Sequence, residues 1–104
     1  MNFIIIRLIP VLILSYNLIG NIQFSADSLT IQLPATIVAS GNSMFQRGNI
    51  VILSDNFKYN TESESANFKK NVVVNYEKSK LKGNSFKLDL KTKKITGQGN
   101  IKPV

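Results

Sequence analysis

The chain has 104 residues, carries 13 Lys+Arg against 6 Asp+Glu, and contains neither cysteine nor histidine. That length allows one domain. Without cysteine there is no disulfide, thiolate metal site or lipobox. Without histidine the commonest general base and metal ligand are gone, so no catalytic group, metal or cofactor is expected. A formal charge of +7 suits nucleic acid, an anionic membrane or a phosphorylated glycolipid alike. Ile (13), Asn (12) and Lys (11) are all read from A/T-rich codons, so charge alone assigns no partner.

Residues 1–26 read as a targeting segment. Arg7 and the terminal amine precede an apolar run from Leu8 to Leu14, which Ser15, Tyr16 and Asn17 interrupt. A short apolar run behind a positive start is the pattern of a secretory signal. A spanning helix needs about 20 mostly apolar residues, and residues 3–22 contain Arg7, Pro10, Asn17 and Asn21. Cleavage after Ala26 is expected, although Phe24 sits where a small residue is preferred. Retention as an uncleaved anchor is the alternative. Either way the domain, residues 27–104, is expected outside the inner membrane, in the periplasm, soluble or tethered.

From Ser28 onward the period is two. Ser28-Leu29-Thr30-Ile31-Gln32-Leu33, Asn56-Phe57-Lys58-Tyr59-Asn60 and Ser85-Phe86-Lys87-Leu88-Asp89-Leu90-Lys91 alternate polar with apolar, which predicts strands with one face buried. Ile50-Val51-Ile52-Leu53 and Val72-Val73-Val74 are apolar on both faces and β-branched, again favouring extended chain. Turn signals punctuate these runs at Ser40-Gly41-Asn42, Arg47-Gly48-Asn49, Ser54-Asp55-Asn56, Lys69-Lys70-Asn71, Lys82-Gly83-Asn84 and Gly97-Gln98-Gly99-Asn100. Gly and Asn tolerate positive φ, so a strand is expected to end at each. The fold class is all-β, built of short antiparallel strands.

A weak internal repeat runs through these strands. Phe57-Lys58-Tyr59-Asn60 lies 29 residues before Phe86-Lys87-Leu88-Asp89, and the same offset aligns Asn71-Val72 with Asn100-Ile101 and Ala66 with Ile95. Repeats of one design suit a stacked architecture in which each unit buries its neighbour's face.

The segment Lys82 to Ile101 carries Leu88-Asp89, then Lys91-Thr92-Lys93, then Gly99-Asn100-Ile101. It resembles the repeat of the LptA/OstA family of lipopolysaccharide-transport proteins, in which a strand ending "Y-D" leads through a turn to "G-N-V". Gly48-Asn49-Ile50 and Asn71-Val72 look like earlier copies of the last element, and Ala26-Asp27-Ser28-Leu29 like an "A-D-x-L" opening. Asn60 stands where the family has aspartate. The resemblance spans roughly residues 26–102. It implies an open, twisted β jelly roll whose apolar interior shields lipopolysaccharide acyl chains on the way to the outer membrane. It also implies joining to other transport proteins, or to itself, edge to edge. An uncleaved N-terminus would make the chain similar to the related, membrane-tethered LptC type.

Under this reading Phe57, Tyr59, Phe68, Val72, Val74, Phe86, Leu88 and Ile95 line a lipid groove; they would equally fill an ordinary sandwich core. Lys78, Lys80, Lys82, Lys91, Lys93 and Lys94 would meet head-group phosphates, or form a solvated edge that opposes aggregation. Lys87, between Phe86 and Leu88, is expected on the outer face. Asp27, Asp55, Glu62, Glu64, Glu77 and Asp89 form no catalytic pair, and Gly97-Gln98-Gly99 lacks the helix and Lys of a phosphate loop. A small envelope β-sandwich without lipid is the reading from another class. A nucleic-acid-binding barrel could stack bases on exposed aromatics, but the export segment argues against it.

Overall fold

The computed structural model describes residues 12–16 and 22–104, the first of these as backbone only. The described chain is all strand and turn, nine strands in one open antiparallel sheet. They are β1 (Leu12–Tyr16), β2 (Ile22–Ala26), β3 (Ser28–Gln32), β4 (Thr36–Arg47), β5 (Ile50–Asn60), β6 (Ser65–Tyr76), β7 (Ser79–Asp89), β8 (Lys94–Gln98) and β9 (Lys102–Pro103). The main order is β1-β2-β4-β5-β6-β7-β8, with β3 also on β4 and β9 also on β7.

Why one sheet has branches follows from its corners. Register slips between Ser40 and Ser43, between Leu53 and Asn56, and between Lys69 and Val72. A slip of this kind bends a strand and sharpens its twist. Gly41 and Asn42, and Lys70 and Asn71, carry consecutive positive φ angles at the corners of β4 and β6, and Gly99 and Asn100 do so where the chain passes from β8 to β9. The sheet is therefore creased into two facing leaves. Leaf 1 holds β2, the second halves of β4 and β6, the first halves of β5 and β7, and β9. Leaf 2 holds β3, the remaining halves and β8. The twisted, open jelly roll is this creased sheet.

The crease corrects the turn assignments. Ser40-Gly41-Asn42, Ser54-Asp55-Asn56, Lys69-Lys70-Asn71 and Lys82-Gly83-Asn84 do not end strands; they let four long strands cross from leaf to leaf. Arg47-Gly48-Asn49 is a true hairpin, with Arg47 opposite Ile50. Positive φ serves a hairpin and a corner equally, so composition could not separate them. The corner of β4 that corresponds to Gly99-Asn100 is thus Gly41-Asn42, not Gly48-Asn49.

The repeat is sharper in the backbone than in the letters. Positive φ recurs every 29 residues at Gly41, Lys70 and Gly99, at Asn42, Asn71 and Asn100, at Gly48 and Glu77, and at Glu64 and Lys93. Asn60 Oδ1 accepts from the amides of Glu62 and Ser63 at 2.9 and 2.8 Å, as Asp89 Oδ1 does from Lys91 and Thr92 at 3.0 and 3.2 Å. Asparagine therefore replaces aspartate at residue 60 without loss of the turn, because both side chains offer the same acceptor oxygen. The corners are tied likewise. Asn42 Nδ2 donates to Asp27 at 3.0 Å and Asn71 Nδ2 to Asp55 at 3.1 Å. The amides of Asp27 and Asn84 donate to Gly41 and Gly99 at 2.8 Å.

The two leaves press their inner faces together. Phe24, Phe45, Phe57, Tyr59 and Phe68 form one aromatic cluster with centroids 5.3–5.7 Å apart, within the range where rings attract beyond simple burial. Phe45 belongs to leaf 1, and its edge-on contacts with Phe57 and Phe68 cross the gap. Ile22, Phe24 and Ala26 of β2 are as buried as any of these. The expected boundary after Ala26 therefore falls at the bend between β2 and β3, and a cut there would remove core residues. Residues 1–11 and 17–21 of the expected targeting segment lie outside the described residues.

Candidate functional site: a cleft where the leaves part

Packing between the leaves is not uniform along the sheet. At the β2–β6 side the aromatic cluster closes the interior. At the β7–β8 side few strands remain to cover leaf 1. Ser79 to Lys82 are all exposed, and Leu81, on the inner row opposite Val74, is 38% exposed. Two adjoining clefts open there. One, about 480 Å³, is lined by Arg47, Gly48, Ile50 and Tyr76 from leaf 1 and by Leu88, Leu90, Lys93 and Ile95 from leaf 2. The other, about 270 Å³, adds Val74, Ser79, Leu81, Phe86, Gly97 and Ile101, and shares Tyr76 and Ile95 with the first. Small-molecule sites commonly enclose roughly 300–1,000 Å³ and are mostly apolar with a few polar groups at fixed places.

The strand parity that builds the core also aims these side chains. Tyr76 continues the inward row of Val72 and Val74, and Leu90 that of Phe86 and Leu88. Gly97 faces Phe86 across the β7–β8 ladder. A Cβ there would lie 2.6 Å from the Phe86 ring and 2.9 Å from Ile101 Cδ1. Glycine therefore lets the Phe86 ring and Ile101 lie flat against the backbone at the inner end of the second cleft.

The eight expected groove residues divide in two. Phe57, Tyr59, Phe68 and Val72 are at most 1% exposed and sit inside the closed interior. Val74, Phe86, Leu88 and Ile95 line the clefts. The six expected head-group lysines are all exposed but point in different directions. Lys80 and Lys82 stand on the outer row of leaf 1, opposite Asn75 and Val73. Lys78 lies in the Tyr76–Ser79 hairpin, and Lys94 faces Asp89 on the outer row of leaf 2. Lys91 lies in the turn before β8; Lys93 lines the first of these clefts, and Lys82 lines a separate, outward-facing depression with Asn71, Asn84 and Lys102. Lys87 is exposed on the outer face, as alternation requires.

Sequence reasoning missed Arg47, Ile50, Tyr76, Leu81, Leu90 and Ile101. Leu90 and Tyr76 were within reach, since each extends an alternating run by one step. Arg47 was not, because beside Gly48 it read only as a turn flank. Among the described residues no group of three or more acidic, His or Cys side chains gathers as a metal site. No helix there is long and apolar enough to cross a membrane. No family model, curated protein or solved structure matches the chain.

Proposed function

We propose that this chain is a lipid-carrier module of the bacterial envelope, holding acyl chains of lipopolysaccharide between the leaves of its sheet as they cross the periplasm. The observation that carries the reading is the pair of adjoining, mostly apolar clefts where the leaves part. A core that only had to fold would gain by closing over Leu81, Ile95 and Ile101, because each buried methylene is worth about 0.8 kcal/mol. The resemblance of residues 26–102 to the lipopolysaccharide-transport repeat supplies the ligand class. The role assigns the chain no catalysis.

Edge strands suit the same role. Among the described residues β3 pairs only with β4, and β8 only with β7, so each offers a flank of unpaired backbone groups to another chain. Joining there would extend the interior into a neighbour. The outer faces argue against stacked bases, since Tyr76 is the one exposed aromatic among the described side chains, and it faces a cleft.

The competing reading, an envelope β-sandwich without lipid, draws on the closed aromatic cluster. Photo-crosslinkers placed singly at Phe86, Leu88 and Ile95 in cells separate the two. Capture of lipopolysaccharide is expected at all three and not at the neighbouring Lys87 or Thr96, whose side chains point to the opposite face. Folded protein that captures no lipid from any cleft position rules out the carrier role and leaves the sandwich.

A further inference from the structure

The larger cleft is apolar along its length and cationic at its mouth. Its walls are Ile50, Tyr76, Leu88, Leu90 and Ile95. Arg47 enters from the tip of leaf 1 and Lys93 from the tip of leaf 2. No acidic residue lines it. The acids on the same tips are otherwise placed. Glu77 accepts from Asn49 Nδ2 at 3.3 Å, and Glu64 is not among the residues that line the cleft. Glu62 is exposed in the turn before β6, and Asp89 caps the turn that carries Lys93.

Two cations that converge on one cleft from opposite leaves, with no acid between them, leave the site short of negative charge. Arg47 is half-buried, where a charge interacts more strongly than on an open surface. Its guanidinium offers a planar fork of donors suited to phosphate or carboxylate, while Lys93 adds a mobile point charge.

Resting on the carrier reading, we infer that the occupant is an anionic lipid, one acyl chain lying in the cleft and its acidic head group held at the mouth between Arg47 and Lys93. The lysine stripe of β7 takes no part, because its outer-row members point away. Charge then sets orientation: the chain enters tail first between the tips, and the head group stops at the rim.

Calorimetric titration of the full chain tests this with dodecyl phosphate, dodecylphosphocholine and inorganic phosphate, all below micelle-forming concentrations. Dodecyl phosphate is expected to bind at least about tenfold tighter than dodecylphosphocholine, and phosphate alone not measurably, because the apolar walls supply much of the affinity. The double variant Arg47→Gln/Lys93→Gln should bring dodecyl phosphate down to the affinity of dodecylphosphocholine with an unchanged thermal midpoint. Lys80→Gln/Lys82→Gln, which removes the same charge from the outer row, should leave the preference intact. If both double variants weaken binding equally, the effect is one of net charge and the inference falls. Equal affinity for the two head groups also overturns it, while leaving the carrier reading standing. If neither amphiphile binds, both readings fall.

Discussion

Replacing Phe24 tests whether the chain before Asp27 belongs to the folded domain. Its ring is fully buried and meets Phe45, Phe57 and Tyr59 at centroid distances of 5.6–5.7 Å. Phe24→Ala removes a large transfer term, three aromatic contacts and the volume between two leaves. Buried Phe→Ala changes cost about 3–5 kcal/mol. A domain of this size has only about 5–15 kcal/mol in total. With about 4–8 °C lost per kcal/mol in a domain of 60–100 residues, the midpoint should fall by at least about 12 °C. Thermal and urea unfolding followed by far-UV circular dichroism measure it. A chain beginning at Asp27 should fare worse, since it also loses Ile22, Ala26 and the pairing of β2 with β4. It should show no cooperative transition where a chain beginning at residue 21 does. If Phe24→Ala shifts stability by less than about 1 kcal/mol, well under the usual cost of such a change, β2 is not part of the core. An Asp27 start that folds as well as the residue-21 start would say the same.

Two further changes probe the crease and the cleft wall. Gly97→Ala should destabilise by about 1–3 kcal/mol, the usual cost of overpacking, because its methyl meets the Phe86 ring at 2.6 Å; urea midpoints decide, and Phe86→Leu in the same chain should recover part of the loss. At the corner of β4 and β5, the Ser43 hydroxyl is buried against Ser54, 2.9 Å from its carbonyl and 2.8 Å from its Oγ. The equivalent pair one repeat later is Val72 opposite Gly83. Ser43→Val alone should cost about 1–3 kcal/mol by stripping Ser54 of a buried partner. Ser43→Val/Ser54→Gly, which copies the later pair, should cost less than the single change, and strict additivity in chemical unfolding would refute the equivalence of the two corners.

Much of the inward row was readable from the letters. Phe57, Tyr59, Phe86 and Leu88 alternate with Lys58 and Lys87, and the leaves place them as parity demands. The crease was hidden because Gly41-Asn42 and Lys70-Asn71 look the same whether a chain reverses or bends. Strand β2 was hidden because Ile22-Gln23-Phe24 closes an apolar stretch whose letters suit an export signal and a buried strand equally. Which inward residues border the clefts could not be read at all: Phe68 and Ile95 are alike in pattern. What distinguishes them is how many strands lie beyond each, a property of the whole sheet rather than of any window of sequence.

The 29-residue period of the corners limits how this gene can change length. One period is two bent strands, a full crossing to the other leaf and back. A tandem duplication of one period would insert a hairpin whose inner residues meet matching rows on both sides, and every later residue would keep its leaf and its face. A duplication of half a period would reverse every later strand and exchange the leaf on which each of its halves lies. Growth by whole periods is therefore open to this scaffold and growth by single strands is closed, so related lengths should differ in steps of about 29 residues.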